Sequence, residues 1–319
     1  EEVKLGAKTT SYKRWGEGLV EYARGEGMRA EAEYWLAVGR EAAAPLPVDL
    51  PGGDNTAAST DTVSVTLDEE ETRALLHEVP AAYRAQINDV LLTALARAFN
   101  TWTGERLALV DMEGHGREAL FEDLDVSRTV GWFTSIFPVL LDARDSEGIG
   151  DELKTIKEQL RHIPSRGIGY GLLRYLADDA SLGEALRALP QAQVSFLYLG
   201  QFDQMLNEAA NEAAPVGFLP ASESAGSLCD PSEKRRYLIE VSGFVAGGQL
   251  RMSWVYSRNV HRRETVEALA ENFVGALRAL TEHCRNVSDP VYTPSDFPEA
   301  ELTQQELDDL LVELTDSEE

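Results

Sequence analysis

Between Ile87 and Met112 the chain runs a strongly apolar helix almost directly into an apolar strand, and both need cover from water. Val90, Leu91, Ala94, Leu95 and Phe99 fall on one side of the stretch Ile87 to Thr103, the spacing of a helix with a broad buried face. Arg106 to Met112 (RLALVDM) is short and nearly continuously apolar, which reads as a buried strand. A helix and a strand that must both be enclosed call for layers, with helices laid over a sheet.

The remaining segments supply the other parts of such layers. Residues 11 to 41 read as two helices, with Trp15, Leu19 and Tyr22 on one face and Glu31 to Val38 forming the second helix. Ala44 to Ala57 holds prolines and glycines and reads as a linker. Asp61 to Leu67 alternates as a half-buried strand, and the acidic cluster Asp68 to Glu71 opens a helix. Phe133 to Leu141 predicts a strand, Gly150 to Arg161 a charged helix, and Leu172 to Leu176 a short helix. Gln193 to Leu199 is a strand, and Leu238 to Val245 with Gln249 to Tyr256 forms a hairpin around Gly247-Gly248. Asn211 to Glu233 reads as a long loop, Val260 to His283 as a long amphipathic helix, and the acidic tail Pro298 to Glu319 as a solvated helix or linker. Strands and helices alternate irregularly, so the fold class is α/β of the α+β kind, a mixed β-sheet flanked by helices.

Charge narrows the function classes. The 319 residues carry 29 Lys plus Arg against 55 Asp plus Glu, a net charge of −26. Such a surface repels phosphate backbones and anionic lipid, so neither nucleic acid nor membrane is expected as a partner. No apolar run is long enough to span a bilayer, and the first residues lack a signal-peptide layout. Cys229 and Cys284 stand far apart, and His77, His115, His162, His261 and His283 form no HExxH or other paired spacing. The expectation is a reduced, cytoplasmic protein with no metal site.

The segment with the most chemical content is Glu113-Gly114-His115-Gly116-Arg117-Glu118, directly after the apolar strand. A carboxylate at a strand end between glycines can sit where backbone and ligand approach closely. Partial burial there would raise its pKa and suit it to proton transfer. From the residues alone, the plainer reading, in which Glu113 pairs with Arg117 or caps a turn, is the stronger one.

EGHGRE resembles a core motif of the epimerization domains of nonribosomal peptide synthetases, within the condensation-domain superfamily. Further stretches resemble the same family in the same order: DVLLTA (Asp89 to Ala94) before it, then RTVGWFTSIFP (Arg128 to Pro138), PSRGIGYG (Pro164 to Gly171) and FLYLGQFD (Phe196 to Asp203). KTTSYKRW (Lys8 to Trp15) is similar to the stretch that joins the family's two lobes. Each motif is weak by itself, and their order is what makes the resemblance specific. It departs from the family at Leu197, where the family has asparagine, which puts a polar role at that position in doubt.

The resemblance implies a C-terminal chloramphenicol-acetyltransferase-like lobe over residues 58–297. Residues 1–57 would be the inter-lobe helices and linker, and 298–319 an acidic tail. It implies catalysis in a tunnel between two lobes, on an aminoacyl or peptidyl thioester held by the phosphopantetheine arm of a peptidyl carrier protein. No cofactor would be bound by this chain itself, and its partners would be that carrier, the N-terminal lobe and adjacent synthetase modules. Glu113 would work with a histidine of an HHxxxDG motif on the other lobe. No HHxxxDG occurs in these residues, so that lobe is expected outside this chain, and the chain alone is expected to be inactive. Alternative readings are a condensation lobe that forms peptide bonds, or a non-catalytic docking lobe.

Other residues carry weaker expectations. His115 is either a second base or a backbone partner that holds the Glu113 loop, and Arg117 holds that loop through a carboxylate. Trp132 and Phe133 are core or tunnel wall. Tyr198 either faces the tunnel or packs as an ordinary strand tyrosine. Gly167, Gly169 and Gly171 follow a helix rather than a strand, which excludes a dinucleotide loop and predicts a tight turn. The basic clusters at Arg235-Arg236 and Arg258 are the candidates for docking an acidic carrier, against the plainer reading of solvated charges.

Overall fold

A computed structural model describes residues 6–37, 39–202, 226, 229–300 and 302–316. Val38 at the end of the second helix, Asp203 of FLYLGQFD, residues 211–225, 227 and 228 of the long loop, and 301 and 317–319 of the tail lie outside them.

Six strands are ordered β1-β6-β5-β4-β2-β3 in one sheet. They are β1 (Thr60–Thr66), β2 (Leu107–Gly114), β3 (Ser135–Asp142), β4 (Val194–Gln201), β5 (Ile239–Ala246) and β6 (Gln249–Ser257). β1 and β5 each pair antiparallel with β6, while β4 runs parallel to β5, so the sheet is mixed. The helices are α1 (Tyr12–Ala23), α2 (Gly27–Ala37), α3 (Glu69–Tyr83), α4 (Ile87–Thr103), α5 (Ile149–Arg161), α6 (Ile168–Tyr175), α7 (Ala180–Ala188), α8 (Arg263–Arg285) and α9 (Gln304–Asp316).

The chain divides into two compact units. One comprises Glu1–Ala43, Leu109–Leu140 and Ile163–Ala192; the other comprises Ala44–Ala108, Leu141–His162 and Gln193–Glu319. This division is discontinuous in sequence, unlike the consecutive blocks 1–57, 58–297 and 298–319.

In the second unit, Gly247 and Gly248 both take positive φ, 61° and 70°, the conformation that a two-residue hairpin turn needs. That turn sets the β5–β6 register from Ile239↔Tyr256 to Ala246↔Gln249. The inward side chains include Trp254, which meets Phe273 of α8 edge-on at 5.6 Å. α4 places Val90, Leu91, Leu92, Ala94 and Leu95 at zero exposure. Asp89 caps the start of α4, its Oδ2 accepting the Gln86 N–H at 2.6 Å. The same carboxylate takes two bonds from Arg161 of α5, at 3.0 and 2.6 Å. Burial is the main influence on Asp89 and raises its pKa, and Arg161 opposes that shift. Lys157 of α5 is also buried and donates to the Tyr83 carbonyl at 3.0 Å and to Asp296 at 2.7 Å.

The first unit is built on α1, α2, α6 and α7 with the adjoining parts of β2 and β3. Trp15, Val126 and Ile168 form a buried cluster, with Leu19, Leu120, Phe121, Leu124 and Phe133 packed on it. Two sequence expectations change here. α6 begins at Ile168, inside GIGYG, where a tight turn and a later helix from Leu172 were expected. Gly167 at φ 85° ends the turn and caps α6, so the helix starts four residues earlier. α7, whose first turn is capped by Asp179, had no counterpart in the sequence reading. In the tail, α9 buries Leu307 to 2% exposure and so is not a free linker.

Candidate active site

β2 extends to Gly114, so Glu113 is the penultimate residue of a strand rather than part of the loop after it. Its side chain is half-buried. The loop that follows turns sharply at Gly116, which adopts φ 66° and lies so close to Phe133 that a Cβ would overlap its carbonyl oxygen. Only glycine satisfies both demands.

Arg117 was expected to hold this loop through a carboxylate; its hydrogen bonds go to backbone carbonyls instead. Its guanidinium donates to the Val126 carbonyl and, at 2.9 Å, to the Thr129 carbonyl. It also lies 3.9 Å over the Phe133 ring, a cation–π contact that closes the loop on itself. The reason is geometric: the planar fork reaches two carbonyls of its own loop at once.

His115 is exposed, and its Nδ1 accepts the Arg117 backbone N–H at 3.0 Å. A neutral ring with an accepting Nδ1 carries its proton on Nε2, and Nε2 lies 3.4 Å from Glu118 Oε1. The lone pair a base would use is therefore occupied, and of the two sequence readings the geometry favours the loop brace. Glu118 was not singled out from the sequence. Its side chain, 10% exposed, also lies 3.6 Å from Arg166 Nη1, so it links EGHGRE to PSRGIGYG.

Trp132 is 79% exposed and Val130 95%, which removes Trp132 from the core. Phe133 is the residue turned inward, edge-on to Tyr12 at 5.1 Å. Tyr12 in turn donates its hydroxyl to the Trp132 carbonyl at 2.7 Å.

In the other unit, Tyr198 lies on β4 beside Gly243 of β5. Its hydroxyl is buried with no hydrogen-bond partner among the described residues. Burial raises its pKa, so it remains a neutral O–H donor. The basic clusters separate. The Arg235 side chain is 7% exposed, with its guanidinium 2.8 Å from Glu240 and 2.9 Å from the Val255 carbonyl. It is a structural residue, and that removes it as a docking residue. Arg236 and Arg258 are exposed; Arg258 donates to the Ala58 carbonyl at 3.0 Å. Among the described residues no cluster is arranged to hold a metal ion, and no helix is long and apolar enough to cross a membrane.

The family model described as "Condensation domain" matches residues 1–303. Among curated proteins, one of the linear gramicidin synthase proteins of Brevibacillus parabrevis is 48% identical over 309 residues, covering 96% of this chain and 4% of that protein. A second protein of the same synthase is 49% identical over 314 residues, covering 97% of this chain and 6% of that protein. The chain is thus a small fraction of the length of the curated relatives it matches. Among solved structures, the epimerization domain from the third module of tyrocidine synthetase B superposes with a TM-score of 0.80 at 35% identity. That match covers 89% of this chain and 62% of that one. A four-domain nonribosomal peptide synthetase shares the fold at 14% identity, with a TM-score of 0.58 over 79% of this chain and 19% of that one.

Proposed function

Because the chain belongs to the condensation-domain family, we propose that it is part of an epimerization domain. In that role it inverts the α-carbon of an aminoacyl or peptidyl thioester presented by a carrier protein of a nonribosomal peptide synthetase. The observation that carries this reading is the likeness to a solved epimerization domain across most of the chain.

The chemistry assigned to the residues follows from the substrate. A thioester carbonyl acidifies the neighbouring Cα–H because the electron pair left behind delocalises into an enolate. Glu113 takes the proton on one face: the C–H bond breaks and an O–H bond forms on the carboxylate. A second group returns a proton to the opposite face, so protons and electrons balance and no redox partner is needed. By family resemblance that second group is the HHxxxDG histidine of the N-terminal lobe. The phosphopantetheine arm arrives with the substrate, Arg236 and Arg258 meet an acidic carrier, and adjacent modules supply and accept the chain. The segment 115–133, braced by Gly116 and Arg117, keeps the Glu113 strand end in one geometry.

The test uses the full natural protein with an aminoacyl-loaded carrier in D2O, followed by mass and chiral analysis of the released amino acid. Wild type should incorporate deuterium at Cα and yield both configurations. Glu113→Gln keeps size and hydrogen bonding but accepts no proton, so exchange should vanish while melting temperature and carrier affinity hold. Near-normal exchange by a folded Glu113→Gln protein would remove Glu113 from the mechanism. The family description alone also fits peptide-bond formation; that reading predicts amide product and no Cα exchange in wild type.

A further inference from the structure

The turn in PSRGIGYG is held against its own preference. Ser165, Arg166 and Gly167 adopt φ of 46°, 50° and 85° in succession. A left-handed backbone is unfavourable for side-chain-bearing residues, so two of them side by side need support from outside. That support comes from α2 and, at longer range, α1. Ser165 Oγ donates to Glu31 Oε1 at 2.6 Å, and the Tyr22 hydroxyl lies 3.4 Å from the same Oγ.

Glu31 is an unusual residue for its position. It is 8% exposed, on the face of α2 that also buries Met28, Ala32 and Trp35. Its Oε2 is buried with no hydrogen-bond partner among the described residues. A Cβ at Gly169 would overlap that oxygen, so the carboxylate occupies the room left by the missing side chain in the first turn of α6. A buried carboxylate with an unsatisfied oxygen costs stability that an apolar residue of similar volume would not.

The turn bears directly on the Glu113 segment. Gly167 is packed so tightly on the Phe137 ring that a Cβ would overlap it. The same edge of that ring, at Cε1, meets Gly114, where a Cβ would lie 3.4 Å away, with the Arg166 carbonyl at 3.9 Å. On the far side, Arg166 approaches Glu118, which approaches His115. The turn therefore touches EGHGRE at Gly114, next to Glu113, and again at Glu118.

We propose that Glu31 is a positioning residue: by latching Ser165 it holds the strained turn, and the turn sets the placement of the Glu113 strand end. The consequence for proton transfer rests on the reading of Glu113 given above; the mechanical link does not. The test compares Glu31→Ala, Glu31→Gln, Ser165→Gly and the Glu31→Ala/Ser165→Gly double variant in the full natural protein. Amide hydrogen exchange by mass spectrometry reads residues 113–118 and 163–170, alongside Cα exchange of the loaded carrier.

Glu31→Ala should speed amide exchange in both segments and lower kcat about tenfold to a hundredfold, the loss of one charged hydrogen bond, with KM for the carrier unchanged. Glu31→Gln retains an acceptor for Ser165 and should restore kcat to within about threefold of wild type. Ser165→Gly accepts the left-handed backbone but leaves Glu31 Oε1 without its donor, so it should still fold while kcat falls as in Glu31→Ala. The double variant should be no worse than either single change, because both remove one interaction. Faster amide exchange at 163–170 with none at 113–118 would overturn the inference, as would additive losses in the double variant. If Glu31→Ala does not fold, Ser165→Gly decides by the same readouts. If wild type shows no Cα exchange, the epimerase reading falls, and the coupled amide exchange still decides the role of Glu31.

Discussion

Gly116 carries the severest steric demand in the EGHGRE segment, because a positive φ and contact with the Phe133 carbonyl coincide there. Gly116→Ala should therefore lose about 1–2 kcal/mol from the backbone conformation alone, with the overlap adding to it. Cα exchange should fall further than the folded fraction does. Chemical denaturation with exchange measured on the same preparation checks this; a variant as stable as wild type would mean the loop re-forms without that turn. Single residues were also where sequence reading erred. Arg235 and Arg236 are neighbours of the same type, yet one folds its side chain against Glu240 and the Val255 carbonyl and the other is exposed. Trp132 and Phe133 divide too, the larger ring exposed and the smaller packed inward, so only the core half of the core-or-tunnel-wall reading fails at Trp132. Side-chain direction after a non-repeating loop has no period to read, so composition could name the pair and not the member.

At the scale of elements, α4 is the member whose removal the second unit should feel most. Leu91 is fully buried in it, so Leu91→Ala should cost about 2–5 kcal/mol, the range for a leucine truncated without collapse of the cavity. Urea denaturation of both proteins measures it, and a loss well under about 1 kcal/mol would mean the site closes around the gap. Asp89, from the DVLLTA motif, is explained at this scale too: it caps the start of α4 and ties the helix to α5 through Arg161. α4 and the β5–β6 hairpin were legible because their signals are local: a face repeating every three or four residues, and paired glycines in a two-residue turn. α6 was misplaced because its start depends on three residues in a left-handed turn, a conformation supported by Glu31 from 134 positions away.

For the whole molecule, the decisive fact is that the 319 residues contain Glu113 and no HHxxxDG. Produced by itself, the chain should therefore leave a loaded carrier at the background rate of Cα deuterium uptake, and rapid uptake would mean that Glu113 works without the histidine. The order of motifs and the alternation of strands and helices determined the family and the mixed, helix-flanked sheet from sequence alone. Both are written in short stretches whose periodicity is enforced by backbone hydrogen bonding and burial of one face. Only the tertiary structure decided what those motifs lean on: Arg117 on the carbonyls of Val126 and Thr129, Asp89 on Arg161, and Ser165 on Glu31. From sequence, Glu31 is one more acid in a chain with 55 Asp and Glu. Its burial beside Gly169 arises because α2 and α6 pack together, and a partner chosen by packing leaves no local period in the sequence.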